Sequence, residues 1–179
     1  MAESFSNSLT RAVGIVTSSS NASIGVGLTW MSGISTAHVA IHDLVDNANF
    51  IAGTKVTLVG VSSVQLDRAS TNTTAATASN VSFLGPTTSY TSASATKSIL
   101  IGGTFANNTA NSVNLTVTVY DNSTTTESQL AAKIPVPTGS SFVISDAGKT
   151  VLEGDDEVRV YCDTENAIDV NLSILKGVS

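Results

Sequence analysis

The side chains best suited to chemistry in this 179-residue sequence are few and scattered. His38 and His42 are its two histidines, four positions apart. On a helix that spacing would align them. On a strand they share a face but stand too far apart for one small ion. A zinc site needs further ligands, and no other His or Cys cluster exists in the sequence. Two partly exposed strand histidines are therefore the expectation. Gly148-Lys149-Thr150 fits the end of a phosphate-binding loop, but Val143 stands where the first glycine is required, and both flanks read as strands. Ser94-Ala95-Thr96-Lys97 matches the short Ser-x-x-Lys pattern of acylating enzymes without either companion motif, a coincidence that a Ser-rich chain produces readily. Asp155, Asp156 and Glu157 form the densest acidic run, yet they lack the spaced ladder of a calcium loop and read as a solvated turn.

Cys162 is the sole cysteine, so no intrachain disulfide can form. It shares parity with Val158 and Val160 in a strand-like run, which points to a buried, inert thiol. No Ser/His/Asp order and no spaced carboxylate pair stands out. The expectation is a chain that is not an enzyme, with no catalytic residue, no cofactor and no metal. The candidate surface contacts are aromatic: Trp30, the single tryptophan, with Tyr120 and Tyr161, both at outward parity.

These residues need elements to hold them, and the composition says which kind. Only 12% of residues are charged, and Ser and Thr together exceed a quarter of the chain. Residues that favour helix surfaces are scarce while β-branched ones abound, so strands joined by Ser/Thr/Asn/Gly turns are expected almost throughout. In Val113 to Tyr120 the aliphatics take every odd position. Val158, Val160 and Cys162 alternate with Glu157, Arg159 and Tyr161. Ile168, Val170, Leu172 and Ile174 alternate with Asp169, Asn171 and Ser173. Such period-2 patterns give each strand one buried and one wet face, as in a sandwich. Turns at Asp121-Asn122-Ser123, Pro135 to Gly139, Asp146-Ala147-Gly148 and Glu153 to Asp156 divide the runs into seven or eight strands between about Ser82 and Lys176.

The first half is less regular. Lys55–Val61 and Ser63–Asp67 read as a hairpin closed near Gly60 to Ser62, and Arg11–Thr17 and Ala22–Leu28 as further strands. The organisation read from the sequence is an N-terminal arm over 1–10, a small β module over 11–70, a Thr/Ala-rich linker over 71–81 and a β-sandwich over 82–179. The fold class is thus all-β, a small β module followed by an antiparallel sandwich of Ig-like or jelly-roll-like type.

A net charge of −6 and a pI near 4.6 argue against nucleic acid and anionic membranes as partners, because both need clustered Lys and Arg. No apolar run approaches the roughly 20 residues of a spanning helix. The start, Met-Ala-Glu-Ser-Phe-Ser, lacks the order of a secretory signal, so synthesis in a cytoplasm without export by that route is expected. The seven Asn-x-Ser/Thr sequons then reflect composition rather than glycosylation.

From Leu100 to Val178 the sequence resembles a domain repeated among virion proteins of marine cyanophages and related tailed phages. The residues that carry the resemblance are Ile101-Gly102-Gly103-Thr104-Phe105-Ala106-Asn107-Asn108-Thr109, Val117-Thr118-Val119-Tyr120-Asp121, Ile134 to Ser141, Leu152 to Asp156 and Ala167 to Leu175. Val45 to Val56 and Val64 to Thr71 are similar to a small β module of phage tail, fibre and surface proteins. The resemblance implies a structural protein on the outer surface of a virion. A capsid decoration protein bound to the major capsid lattice leads. A neck, tail or baseplate accessory protein follows, and a host-glycan-binding adhesin module comes third. The implied partners are the major capsid protein or tail and neck proteins, and further copies of the chain, with a homotrimer at three-fold positions a natural arrangement.

Overall fold

A computed structural model describes residues 3–145 and 149–178, which form an all-β chain of fifteen strands. The turn expected at Asp146-Ala147-Gly148, the glycine of Gly148-Lys149-Thr150 and the first two residues of the expected arm lie outside the described residues.

The strands sort into two compact units, residues 1–14 with 87–179 and residues 15–86. Unit 1 holds β1 (Ser4–Val13), β8 (Thr87–Thr91), β9 (Lys97–Asn107), β10 (Val113–Asp121), β11 (Thr126–Val136), β12 (Ser141–Ile144), β13 (Thr150–Leu152), β14 (Glu157–Cys162) and β15 (Ile168–Val178). One sheet runs β1-β15-β9-β12, with β13 also on β9, and the other runs β11-β10-β14-β8. Every pairing in unit 1 is antiparallel. The alternation read in the sequence is what closes these sheets into a sandwich. Leu115, Val117, Val158, Val160 and Cys162 from one sheet meet Leu100, Phe105, Ile168, Val170, Leu172 and Ile174 from the other in a single buried cluster. Burying that many branched side chains at roughly 1.5–3 kcal/mol each supplies the driving force.

Unit 2 holds β2 (Ile15–Ile24), β3 (Trp30–Ser32), β4 (Leu44–Asp46), β5 (Val56–Val59), β6 (Ser63–Leu66) and β7 (Ala76–Gly85), in the order β4-β7-β2-β3-β6-β5. Ile24, Met31, Phe50, Val56, Val64 and Phe83 are central to its own core. The expected hairpin is β5 and β6, with the chain turning between Val59 and Ser63.

Three boundaries differ from the sequence reading. Residues 4–10 are no arm: β1 pairs along its length with β15, from Ser4 opposite Lys176 to Thr10 opposite Val170. Its apolar Phe5 and Leu9 point to solvent while Ser8 turns inward and donates to the Ser89 carbonyl at 2.7 Å, so the pattern is inverted and hides the strand. Residues 76–81 of the expected 71–81 linker lie in β7, where backbone pairing with β2 needs no bulky side chains. The small module does not precede the sandwich but is inserted into it, between Gly14 and Thr87. Gly14 is obligatory at the first crossing. Its φ is +133°, and a Cβ there would lie 2.0 Å from the Thr164 carbonyl oxygen.

Candidate interaction surface

The structure separates the three aromatic candidates. Trp30, on β3 opposite Gln65, is 44% exposed and available for contact. Tyr120 is half-buried, with the Arg159 guanidinium stacked 3.7 Å above its ring. Tyr161 is fully buried, which corrects its reading as a surface contact. Its parity is outward, as expected, but β11 carries Glu127 over it. The Tyr161 hydroxyl donates to Glu127 Oε1 at 2.8 Å, the Thr118 hydroxyl donates to the same oxygen, and Arg159 Nη1 stands 4.0 Å from Glu127 Oε2. Arg159 Nε also donates to Glu157 Oε2 at 2.7 Å, and Thr88 donates to that oxygen at 3.0 Å. The outer face of the β11-β10-β14-β8 sheet is thus sealed by an internal ionic network, with the Glu127 side chain only 2% exposed. Burial and the Glu127 charge push the Tyr161 phenol far up. Burial opposes the charge on Arg159, but the hydrogen bond and charge of Glu157, with Glu127 behind, outweigh it and hold its pKa above the ordinary value. Nothing in the sequence announces this network, because Glu127 is 34 residues from Tyr161.

The polar residues singled out by type are also engaged within the chain. His38 and His42 are exposed but lie in turns rather than a strand, at φ of 66° and 78°, so the strand reading is corrected. Their segment is shaped by Asp43, whose buried carboxylate accepts from the Ala40 amide at 2.8 Å. Burial raises the Asp43 pKa, against the Ala40 amide and the charge of His42. Asp156 is buried and accepts from the amides of Glu153 and Asn122, at 2.9 and 3.1 Å, which ties the β10–β11 turn to the β13–β14 turn. With Glu157 on Arg159, the acidic run spends two of its three carboxylates on its own fold. Among the described residues no three His, Cys, Asp or Glu side chains gather where an ion could sit. Lys97, from the Ser-x-x-Lys match, pairs with Glu153 at 3.0 Å. The Cys162 thiol is buried, and burial raises its pKa to about 11. No helix of the described residues is long and apolar enough to cross a membrane.

What the chain offers to solvent instead is apolar side chains on strand faces. In unit 2, Trp30 and Leu58 stand on either side of Gln65, and Val61, 97% exposed, caps the β5–β6 turn. In unit 1, the outer face of the five-stranded sheet bears a cross-strand ridge. Phe5 lies opposite Leu175, Leu175 opposite Ile99, and Ile99 opposite Val151. Its two ends, Phe5 and Val151, are 79% and 54% exposed. A bulge at Ile101 brings Thr104 to the same face further along, between Asn171 and an exposed Val143. Between ridge and Thr104, beside Gly102, Ser173 and the bulged Ile101, the face sinks into a trough that continues past Thr104 toward Leu9, Ala106 and Asp169. Its two lobes, of about 330 and 360 Å³, share Thr104 and Asn171.

No family model matches the chain and no curated protein matches it. Among solved structures, a chain in the structure of infectious bursal disease virus, Gx strain, is similar over 97% of this chain and 55% of that one, at 13% identity and a TM-score of 0.30. The isomalto-dextranase of Arthrobacter globiformis T6 complexed with panose is similar over 97% of this chain and 34% of that one, at 11% identity and a TM-score of 0.24. This chain therefore spans about half the length of the first and a third of the second. At these scores neither likeness bears on what the chain does.

Proposed function

We propose that this chain is a non-catalytic structural component of a tailed-phage virion, a capsid decoration protein that binds the major capsid lattice from outside. The observation that carries the reading is that each all-β unit presents its own exposed apolar strand surface, around Trp30 and Val61 in unit 2 and along the Phe5 ridge in unit 1. Apolar side chains presented to solvent on strand faces in this way suit protein contact. One unit grips the lattice while the other meets a neighbour. The conspicuous polar side chains support the same reading, since Glu127, Arg159, Asp156 and Tyr161 are committed to the fold. The sequence resemblance of residues 100–178 to phage virion domains supplies the setting. The glycan-binding alternative loses two of its three aromatic contacts, with Tyr161 buried and Arg159 stacked on Tyr120.

Quantitative mass spectrometry of purified virions against the major capsid protein tests this reading. At least one copy per three capsid subunits is expected for lattice-wide decoration. A few copies per particle would move the chain to the neck, tail or baseplate, and absence from the particle would end the virion reading.

A further inference from the structure

We propose that a second copy of this chain covers the outer face of the five-stranded sheet, in an isologous pair whose Phe5–Leu175–Ile99–Val151 ridges each enter the other copy's trough beside Gly102 and Thr104. Three observations select a second copy as the occupant. The first is shape. The face carries a ridge and a trough side by side, and a two-fold axis between them sets each ridge over the other copy's trough, so a single surface supplies both halves of the fit.

The second is charge. The chain is acidic, at −6, so two copies repel each other over most of their surface. The lobe beside Gly102 is lined by no charged side chain, the lobe beyond Thr104 by one of each sign, Arg11 and Asp169, and the ridge has none. An equally acidic copy can approach here without a net penalty.

The third is area. The eleven residues of β15 give the face a length of about 36 Å, and four strands a width of about 19 Å, hence about 700 Å² of flat surface. That is close to the roughly 800 Å² that each partner of a standard interface contributes. The inverted β1 fits the same account. An edge strand that turns Phe5 and Leu9 outward and Ser8 inward gains nothing from that order within its own sandwich, and much when a second sheet lies against it.

This inference goes beyond the virion reading and does not rest on it. The copy-number measurement needs the particle, whereas the test here needs only the purified chain.

Sedimentation velocity of the full chain across a wide concentration range is expected to show the 18.3 kDa monomer passing into a species of twice that mass. Phe5→Glu and Val151→Glu, both at exposed positions, are each expected to raise the dissociation constant at least about tenfold with an unchanged strand signal in circular dichroism. Ile51→Glu, about as exposed as Val151 but in unit 2, is expected to leave it unchanged. Should a variant lose its fold, carbene footprinting of the unaltered chain gives the same answer, with Phe5 and Val151 protected as concentration rises. A chain that stays monomeric throughout, a trimeric mass, or a dimer indifferent to both ridge substitutions would overturn the proposal.

Discussion

Arg159→Met puts the network that seals the outer face of the four-stranded sheet to the test. Met keeps most of the aliphatic stem, so the change removes the guanidinium and little packing. What it leaves behind is Glu127, 2% exposed, still holding the hydroxyls of Tyr161 and Thr118 but without the Arg159 charge beside it. At 4.0 Å, two unit charges interact by about 4 kcal/mol at an effective dielectric near 20. Removing one member of such a buried pair typically costs about 3–5 kcal/mol. The lost bond to the more exposed Glu157 and the contact with Tyr120 add little, so a loss of about 3 kcal/mol is expected. The cause can be isolated by adding Glu127→Gln. The amide carbonyl still accepts from both hydroxyls, the buried carboxylate charge is gone, and about 2 kcal/mol should return. Cys162 provides the assay. As the only cysteine, buried in the unit 1 core, it can be labelled in a urea series to follow that unit alone. A loss below about 1 kcal/mol, or a double variant no more stable than Arg159→Met, would refute the view that burial of Glu127 makes Arg159 necessary.

Three further outcomes follow from other buried groups. The native Cys162 thiol, with its pKa raised to about 11, is expected to react with thiol reagents at mildly alkaline pH at least about a hundredfold more slowly than in the unfolded chain, and rapid native labelling would place it at the surface. Asp43 has its folded pKa raised by burial, so the folded state holds the proton to higher pH than the unfolded one. Unit 2 should therefore lose stability as pH rises from the ordinary carboxylate range through that raised value, and Asp43→Asn should abolish the loss, read through Trp30 fluorescence in urea at several pH values. Asn107 uses its amide to donate to the carbonyls of Asn111 and Val136, at 2.7 and 2.9 Å, while its oxygen accepts from Thr109. Asn107→Asp turns a carboxylate oxygen toward two carbonyls in a buried site and should cost unit 1 about 3 kcal/mol, measured by the same Cys162 labelling.

The parts of this structure that could be read in advance are those where burial follows parity. On β10, β14 and β15 the aliphatics alternate with polar residues, and those aliphatics line the core. The parts that could not be read share a different physics. β1 follows parity with the opposite sign, because what its apolar side meets is not in its own sandwich. The start of β7 is held by backbone bonds to β2, which leave no mark on side-chain type. Tyr161 has the parity of a surface residue and the burial of a core one, since Glu127 arrives from another strand to cover it. The insertion of unit 2 was equally hidden. It is declared only by Ser4 lying opposite Lys176, and pairing over such a separation has no local signature.

That pairing also sets a schedule for synthesis. β1 leaves the ribosome well before its partner β15, which follows about 170 residues later. At 5–20 residues per second the delay is on the order of 10–35 seconds. Unit 2, complete by residue 86, can fold within that interval, whereas the sandwich cannot close until β15 emerges. For that interval β1 is an unpaired strand carrying Phe5 and Leu9, and nascent chains on neighbouring ribosomes carry the same strand.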